Sequence, residues 1–365
     1  MRILYFSRNY CTHDHRFLSA IVNGGHETYF LQLERSLRQT EDRPVPFQVE
    51  QIPWLGSRRE FRWREVPRLV FELKRVIRKI NPDLIHAGPI QTCAFLAALS
   101  GFRPLFTMSW GFDLMEDVHK SRWMERMTHY VLRNTTYFTS DANVTREKAI
   151  KYGMNPERTV IFPWGIDLQH YAPDPDHWSL NADHFTLFCN RSWEPRYGVD
   201  VLARAFLKVA QRNENVHLIL LSGGSQGKVI RGILHNGSVL DRVTFGGQIS
   251  QEDLPNLYQD ADIYISPSHV DGSSVSLMEA LACGLPCLVS DIPANKEWIS
   301  EGLNGWLFRD GDENDLAEKI LAAIAQREKW PEMGRAGRRS AEMRADWKKN
   351  SAILLQAYET AVNLI

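Results

Sequence analysis

Asp271 and Glu279 stand eight positions apart, with Gly272-Ser273-Ser274-Val275 following the first of them. The apolar run 263–266 just upstream predicts a buried strand, and 275–282 has a helical pattern. A strand that ends in a Gly-Ser-Ser turn and opens a helix leaves backbone N–H groups free. The helix dipole adds positive potential there, so the turn suits an anion such as phosphate. Glu279 falls one to two turns into the helix, at about 1.5 Å of rise per residue. Two carboxylates then flank the anion site, and carboxylates accept hydrogen bonds from sugar hydroxyls. The pattern fits a ligand with phosphate in the middle and hydroxyls on both sides. The plainer reading of Asp271 is a helix cap, and of Glu279 a solvated helix residue. Glu279, however, sits among Leu277, Met278, Ala280 and Leu281. A carboxylate in so apolar a segment is rarely buried without a partner, which favours a functional role.

The elements that must carry this turn alternate along the whole chain. Strand-like runs at 3–6, 84–86 and 105–107 are interleaved with helical patterns around 16–23 and 92–99. A break at 163–184 is rich in Pro, Gly and Asp. The alternation then restarts, with strands expected at 185–189, 217–221, 243–245, 263–266 and 286–290 and helices at 199–210, 251–258 and 275–282. This is the pattern of βαβ units with parallel sheets covered on both faces. The chain has 365 residues, which at about 150 per domain gives two domains. We draw them as 1–168, completed by a terminal helix at 348–365, and 169–347. That helix is expected to bury Ile353, Leu354, Ala357, Tyr358 and Val362.

Composition narrows the function classes. A net charge of −1 with 44% hydrophobic residues excludes a disordered chain and one held to nucleic acid by global charge. No apolar run approaches the roughly 18 residues of a membrane span. The first residues read as a strand rather than a signal peptide. The five cysteines, Cys11, Cys93, Cys189, Cys283 and Cys287, form neither a disulfide framework nor a zinc motif. Free thiols and no signal make the cytoplasm the expected compartment.

The run Glu279-Ala-Leu-Ala-Cys-Gly-Leu-Pro-Cys-Leu-Val-Ser resembles that of the retaining glycosyltransferases of family 4, which have the GT-B fold. Asp271 stands where their E-x7-E motif has its first Glu. Further matches are Asp83-Leu-Ile-His-Ala, Trp110-Gly-Phe-Asp113, Pro163-Trp-Gly-Ile-Asp167, Phe245-Gly-Gly-Gln and Tyr258-Gln-Asp-Ala-Asp-Ile-Tyr-Ile-Ser-Pro-Ser. The resemblance implies two Rossmann-like domains facing each other across a cleft, and transfer of a sugar from a UDP- or GDP-linked donor to a glycan or lipid-linked hydroxyl, with retention at the anomeric carbon. It implies no cofactor and no metal. Arg191 and Arg196 would bind the donor diphosphate, although Tyr197 between Arg196 and Gly198 departs from the family's Lys-Gly. Asp271 would hold the donor sugar and Glu279 the ribose. Gly272 would belong to the donor site, the amides of Ser273, Ser274 and Val275 would meet phosphate, and Gly247, Gln248 and Ile249 would line the base. The rivals are an inactive sugar- or nucleotide-binding protein and a GT-B phosphorylase or epimerase.

The first domain would supply the acceptor side, with His13, Arg16, Trp110 and Asp113 as candidates. His13-Asp14-His15 reads as a polar loop, without the spacing of a metal site. Asp174-Pro-Asp176 has the D-x-D shape of metal-dependent glycosyltransferases, but turn chemistry in a Pro-rich linker accounts for it. Two basic stretches carry aromatics: 58–79, with Trp63 and nine Arg or Lys, and 119–133, with Trp123. Such stretches suit an anionic membrane surface or an anionic acceptor; the plain alternative is a solvated helix face. Nucleic acid is not expected, because no recognition motif accompanies the charge.

Overall fold

The computed structural model describes residues 1–34, 41–58, 60–174 and 184–365. The chain forms two compact units, Met1–Trp164 with Lys348–Ile365, and Gly165–Trp347. The division falls four residues before the 168/169 boundary drawn from sequence. Its cause is local: Ile166 N donates to Ala345 O at 2.7 Å, and Trp347 N donates to Ile166 O at 3.1 Å.

The first unit is a seven-stranded parallel sheet. Its strands are β1 (Arg2–Ser7), β2 (Glu27–Gln32), β3 (Glu50–Gln51), β4 (Leu84–Ala87), β5 (Leu105–Met108), β6 (Tyr137–Ser140) and β7 (Thr159–Ile161), in spatial order β3-β2-β1-β4-β5-β6-β7. The crossovers carry α1 (Thr12–Asn23), α2 (Val66–Ile80), α3 (Phe95–Ser100), α4 (Phe112–Met115), α5 (Arg122–Asn134) and α6 (Asn143–Lys151). In α2 the buried residues are Leu69, Leu73, Val76 and Ile80, the spacing of one helix face. The helix ends at Asn81, whose left-handed φ of 49° Asn tolerates.

His13, Asp14 and His15 are not a loop. They form the first turn of α1, because Asp14 accepts from the Cys11 backbone N–H at 2.8 Å, and the helix so starts at Thr12, four residues earlier than the apolar pattern suggests.

The second unit has six parallel strands: β8 (Phe185–Cys189), β9 (Val216–Leu221), β10 (Val243–Gly247), β11 (Ile263–Ser266), β12 (Cys287–Ser290) and β13 (Gly305–Phe308), in order β10-β9-β8-β11-β12-β13. Helices α7 (Val199–Ala210), α8 (Gly227–Asn236), α9 (Leu254–Gln259), α10 (Val275–Ala282), α11 (Pro293–Lys296), α12 (Glu313–Ile324) and α13 (Trp330–Arg344) cover it. One core, with Phe206, Leu234, Ile320 and Trp330, fills one face of the sheet. Another, with Tyr258, Leu277, Leu281 and Trp298, fills the other. Strand order reverses between β8 and β11, and the loops beyond the carboxyl ends of two such strands are where doubly wound sheets bind ligands.

Helix α14 (Trp347–Asn363) begins at the end of the second unit and packs in the first. Its buried residues are Asn350, Leu354, Ala357, Tyr358 and Ala361. Ile353 is exposed and Val362 only half-buried, so the packed face is turned from the expected one. Two buried groups fix it: Tyr358 Oη lies 2.5 Å from His86 Nδ1, and Asn350 donates to Pro163 O. All five cysteines are free, and four are buried.

Candidate functional site

Arg191 follows β8, and the turn carrying Asp271 follows β11, so the strand reversal brings them together. Arg191 Nη2 lies 2.6 Å from Asp271 Oδ2, while Nη1 donates to Ser274 Oγ at 2.9 Å and Ser276 Oγ at 3.0 Å. The guanidinium also stacks on Tyr197, 4.4 Å from the ring centroid. Tyr197, the departure from the family pattern, is thus the plate on which Arg191 rests. Burial opposes the charge of Arg191, but Asp271 together with Tyr197, Tyr264 and Cys189 more than offsets it, so the guanidinium pKa lies above its ordinary value. Burial raises Asp271, and Arg191 limits the rise.

Asp271 does not cap α10. That position belongs to Ser274, whose hydroxyl accepts from Leu277 N. The Asp271 carboxylate instead accepts from Gly272 N at 3.1 Å and faces Arg191. Ser273 Oγ accepts from Trp298 Nε1 at 3.0 Å. Gly272, Ser273, Ser274 and Val275 therefore form a turn braced from both sides at the start of an eight-residue helix. A fixed guanidinium and a helix N-terminus converge there, as an anion requires.

Arg196 lies in a single turn, Pro195–Tyr197, before α7. Its carbonyl accepts from His269 N at 2.9 Å, which ties this turn to the Asp271 loop, and its charge also lowers Asp271. Gly198 makes that approach possible: φ is +59°, and a Cβ would stand 2.1 Å from the Pro267 carbonyl oxygen. His269 is held in turn by Asp310, Nδ1 to Oδ1 at 2.6 Å.

Glu279 is 3% exposed, and the partner its burial requires is Tyr258, whose hydroxyl lies 2.9 Å from Oε2. Asn190 donates to the Tyr258 hydroxyl at 2.8 Å and accepts from Tyr264 at 3.2 Å. Asn190 directly precedes Arg191, so one loop serves both carboxylates. Tyr258, Asn190, Ser276 and Tyr197 were not among the sequence candidates. Tyr258 lies within a matched motif, but its contact is to a residue 21 positions away, which no local pattern reveals. Gly247, with φ +64°, ends β10 at the sheet edge; Gln248 is exposed, and Ile249 packs partly on the core beneath α9 and α10. These three stand on the far side of β9 from β8.

In the first unit, the candidates separate. Asp113 is fully buried, and its oxygens accept from Ser109 Oγ, Ile90 N, Trp110 N and Leu114 N at 2.6–3.2 Å. It braces the loop after β5, and both of its oxygens are taken up by donors of the fold. Burial lifts its pKa to about 6. Arg16 is buried within α1. His13 and Trp110 do come together, 6.0 Å between centroids, and both contact Trp164, at 4.6 and 6.3 Å. This cluster gathers the segments that follow β1, β5 and β7.

Among the described residues, no group of three or more His, Cys, Asp or Glu is placed to hold a metal ion. Asp174 is described, while Asp176 and the rest of the linker at 175–183 lie outside the described residues, as does Arg59 of the first basic stretch. No helix among the described residues is long and apolar enough to cross a membrane.

Comparison with known proteins agrees with this layout. The family model described as glycosyl transferases group 1 matches residues 174–340, and the one described as glycosyl transferase 4-like matches 2–142. The chain is 24% identical over 295 residues to a GDP-mannose-dependent alpha-(1-6)-phosphatidylinositol monomannoside mannosyltransferase of Mycobacterium tuberculosis, covering 74% of each. Its counterpart in Mycolicibacterium smegmatis is 26% identical over 312 residues, covering 80% of each. Sucrose-phosphate synthase from Thermosynechococcus elongatus has the same fold, with a TM-score of 0.82 at 18% identity over 99% of both chains. Anabaena HepE in complex with UDP-glucose gives 0.79 at 20% identity, again over 99% of both. The two family models, both of glycosyl transferases, match one to each unit, and the chain has the GT-B fold.

Proposed function

We propose that the chain transfers a sugar from a nucleoside-diphosphate donor to a hydroxyl of a glycan or lipid-linked acceptor, with retention and without a metal ion. The observation that carries this is Arg191, clamped on the N-terminus of α10 by Ser274, Ser276 and Asp271. As the bond from the anomeric carbon to the phosphate oxygen breaks, charge grows on the leaving diphosphate. A fixed guanidinium and free helix amides at that point stabilise it without reorganising, the role a divalent cation plays elsewhere. Arg196, on the neighbouring turn, adds a second cation. Asp271 is placed to accept from donor-sugar hydroxyls, and Glu279, oriented by Tyr258, from ribose hydroxyls. The acceptor oxygen forms the new bond on the face that the phosphate leaves, and its proton passes to the leaving phosphate oxygen. No protein base is needed in that scheme.

The relatives are named for GDP-mannose, and HepE was crystallised with UDP-glucose, so both bases belong in the test. Thermal stability is measured against GDP, UDP, ADP and their sugar conjugates, with and without EDTA, in wild type and Glu279→Gln. One nucleotide should stabilise the wild type by mass action, unaffected by EDTA and at least tenfold weaker in the variant, which keeps the acceptor that Tyr258 requires. No stabilisation by any nucleotide would overturn the donor reading. Dependence on a divalent ion would overturn the metal-free reading. An inverted anomer in the proton NMR spectrum of the product would overturn retention.

A further inference from the structure

Trp298 follows α11 and is buried in the core that includes α10, yet its indole makes a polar contact with the turn that opens that helix. Nε1 donates to Ser273 Oγ at 3.0 Å, across 25 positions of sequence. An indole nitrogen can only donate, so Ser273 Oγ is the acceptor of this pair and its own proton is directed elsewhere. Ser273 is itself 3% exposed, so its side chain reaches into the core rather than out of the turn.

The indole has little freedom. The Trp298 backbone N–H donates to Asn295 O at 3.0 Å, and Asn304 Nδ2 donates to its carbonyl at 2.9 Å. Asn295 is tied in turn to the end of β12, where its Nδ2 donates to Ser290 O at 2.9 Å. Over the ring lies the Arg344 guanidinium, 4.2 Å from the centroid, and Arg344 Nη1 donates to Glu297 O at 2.5 Å. A cation on the ring face and an anchored backbone hold the N–H on Ser273.

The other contacts of the turn differ in kind. Arg191 holds Asp271, Ser274 and Ser276, and it is the group proposed to meet the ligand's phosphate, so those contacts change when a donor enters. Ser274 caps Leu277 N within α10 itself. The bond from Trp298 to Ser273 comes from a distant segment and does not involve Arg191, so it is an anchor that donor binding leaves in place. We propose that Trp298 is a positioning residue for the donor: through Ser273 it fixes the backbone of 272–274 to receive the sugar-side phosphate of a nucleoside diphosphate. Asp271, assigned to the sugar, borders this stretch, while Glu279, assigned to the ribose, lies further along the helix. The stretch therefore serves the phosphate that a nucleoside monophosphate lacks. Donors held in place bind more tightly than flexible ones, because they need no reorganisation. This rests on the donor reading and adds to it a residue outside the segments that form the site.

The test is calorimetric affinity for GDP, UDP and ADP, each against its own monophosphate, in wild type, Trp298→Phe, Ser273→Ala and the double variant. Trp298→Phe keeps an aromatic ring under Arg344 and removes the N–H donor. The preference for diphosphate over monophosphate should fall about threefold to tenfold, the weight of one net hydrogen bond. In the Ser273→Ala background, Trp298→Phe should change that preference by less than about twofold, because the two residues act as a unit. A second readout is the indole N–H spectrum of the full chain with isotope-labelled tryptophan. Of the 11 indole signals, the one missing in Trp298→Phe should be displaced in Ser273→Ala, and in wild type it should shift with diphosphate but not with monophosphate. If Trp298→Phe does not fold, the displacement in Ser273→Ala identifies the signal and the wild-type titration decides. Equal losses of mono- and diphosphate affinity, or additive losses from the two substitutions, would make Trp298 a core residue only and overturn the proposal with the donor reading intact. A Trp298 signal unmoved by bound diphosphate would do the same. A wild type that binds no nucleotide would overturn both together.

Discussion

Arg191 sits where folding and the proposed donor binding depend on one side chain, and a pair of substitutions separates the two. Arg191→Met keeps most of the packing on Tyr197 but strands Asp271, whose side chain is 17% exposed, and frees two serine hydroxyls. Breaking a fully buried pair costs about 3–5 kcal/mol; the residual exposure here reduces that to roughly 2–3 kcal/mol. For a unit of this size the melting temperature of the second unit should fall by about 4–12 °C. The loss depends on pH in a set direction. Without Arg191, burial of Asp271 raises its folded pKa further above the unfolded value. The ionised form is then destabilising at neutral pH, and the penalty fades as acidification protonates the carboxyl. The gap to wild type is thus widest near pH 7 and narrows towards pH 4–5, by linkage. Arg191→Met/Asp271→Asn removes the stranded charge and should recover most of the stability at pH 7, yet nucleotide affinity should stay reduced by about tenfold to a hundredfold, the loss of a charge-assisted contact. Chemical denaturation and nucleotide titration on the three proteins supply every number. A double variant as unstable as the single would show that Arg191 acts through packing rather than charge. Full nucleotide affinity in either variant would remove Arg191 from the donor site.

Three further outcomes follow from the geometry. Gly198→Ala forces a left-handed φ on a side chain that meets the Pro267 carbonyl; it should destabilise the second unit by about 2–4 kcal/mol and weaken nucleotide binding, because the Asp271 loop must shift, and a melting temperature within 1–2 °C of wild type, about the shift of a neutral surface change, would contradict this. Asp113, with its pKa raised to about 6 by burial, holds more protons when folded than when unfolded between its unfolded pKa and that value; wild type should therefore gain stability relative to Asp113→Asn as pH falls through this window, and urea melts showing a constant or shrinking difference would count against a buried ionised Asp113 at pH 7. Tyr358→Phe leaves His86 Nδ1 without its contact on α14, and should cost about 1–2 kcal/mol and speed hydrogen exchange in that helix first, whereas unchanged exchange there would show that the apolar face alone secures it.

The architecture was legible because both sheets are parallel and doubly covered, so their strands are apolar runs that punctuation residues delimit. Helices α7 and α10 occupy the ranges expected from their patterns, 199–210 and 275–282. What escaped was set by single polar atoms. Helix α1 begins at Thr12 because Asp14 caps it, and a capping carboxylate in a run of His and Asp is indistinguishable by pattern from a polar loop. The buried face of α14 is chosen by Tyr358 and Asn350, which find partners on β4 and after β7. Ile353 and Val362 fit the apolar period as well as Ala361 does, so hydrophobicity alone could not choose between them.

The two units differ in how much of their chemistry a linear reading can reach, and the reason is topological. In the second unit the strand reversal puts β8 beside β11, and the proposed donor site there draws mainly on two short segments: 190–197, and 271–279 at the head of one helix. Each segment is contiguous, so residue types and spacing carry most of the information. The missing members, Tyr258 and Tyr197, are those that act by supporting another side chain. In the first unit the ring cluster of His13, Trp110 and Trp164 takes one residue from each of the segments that follow β1, β5 and β7. No spacing links positions 13, 110 and 164, and each alone reads as an ordinary core aromatic. Asp113, which looked more chemical by type, is consumed in holding the Trp110 loop. A carboxylate in a strand-end loop is therefore informative only once its hydrogen bonds are counted. Asp271 spends one oxygen on its own loop and the other on the Arg191 guanidinium, the group proposed to meet a ligand's phosphate; Asp113 spends both on backbone and hydroxyl donors fixed by the fold.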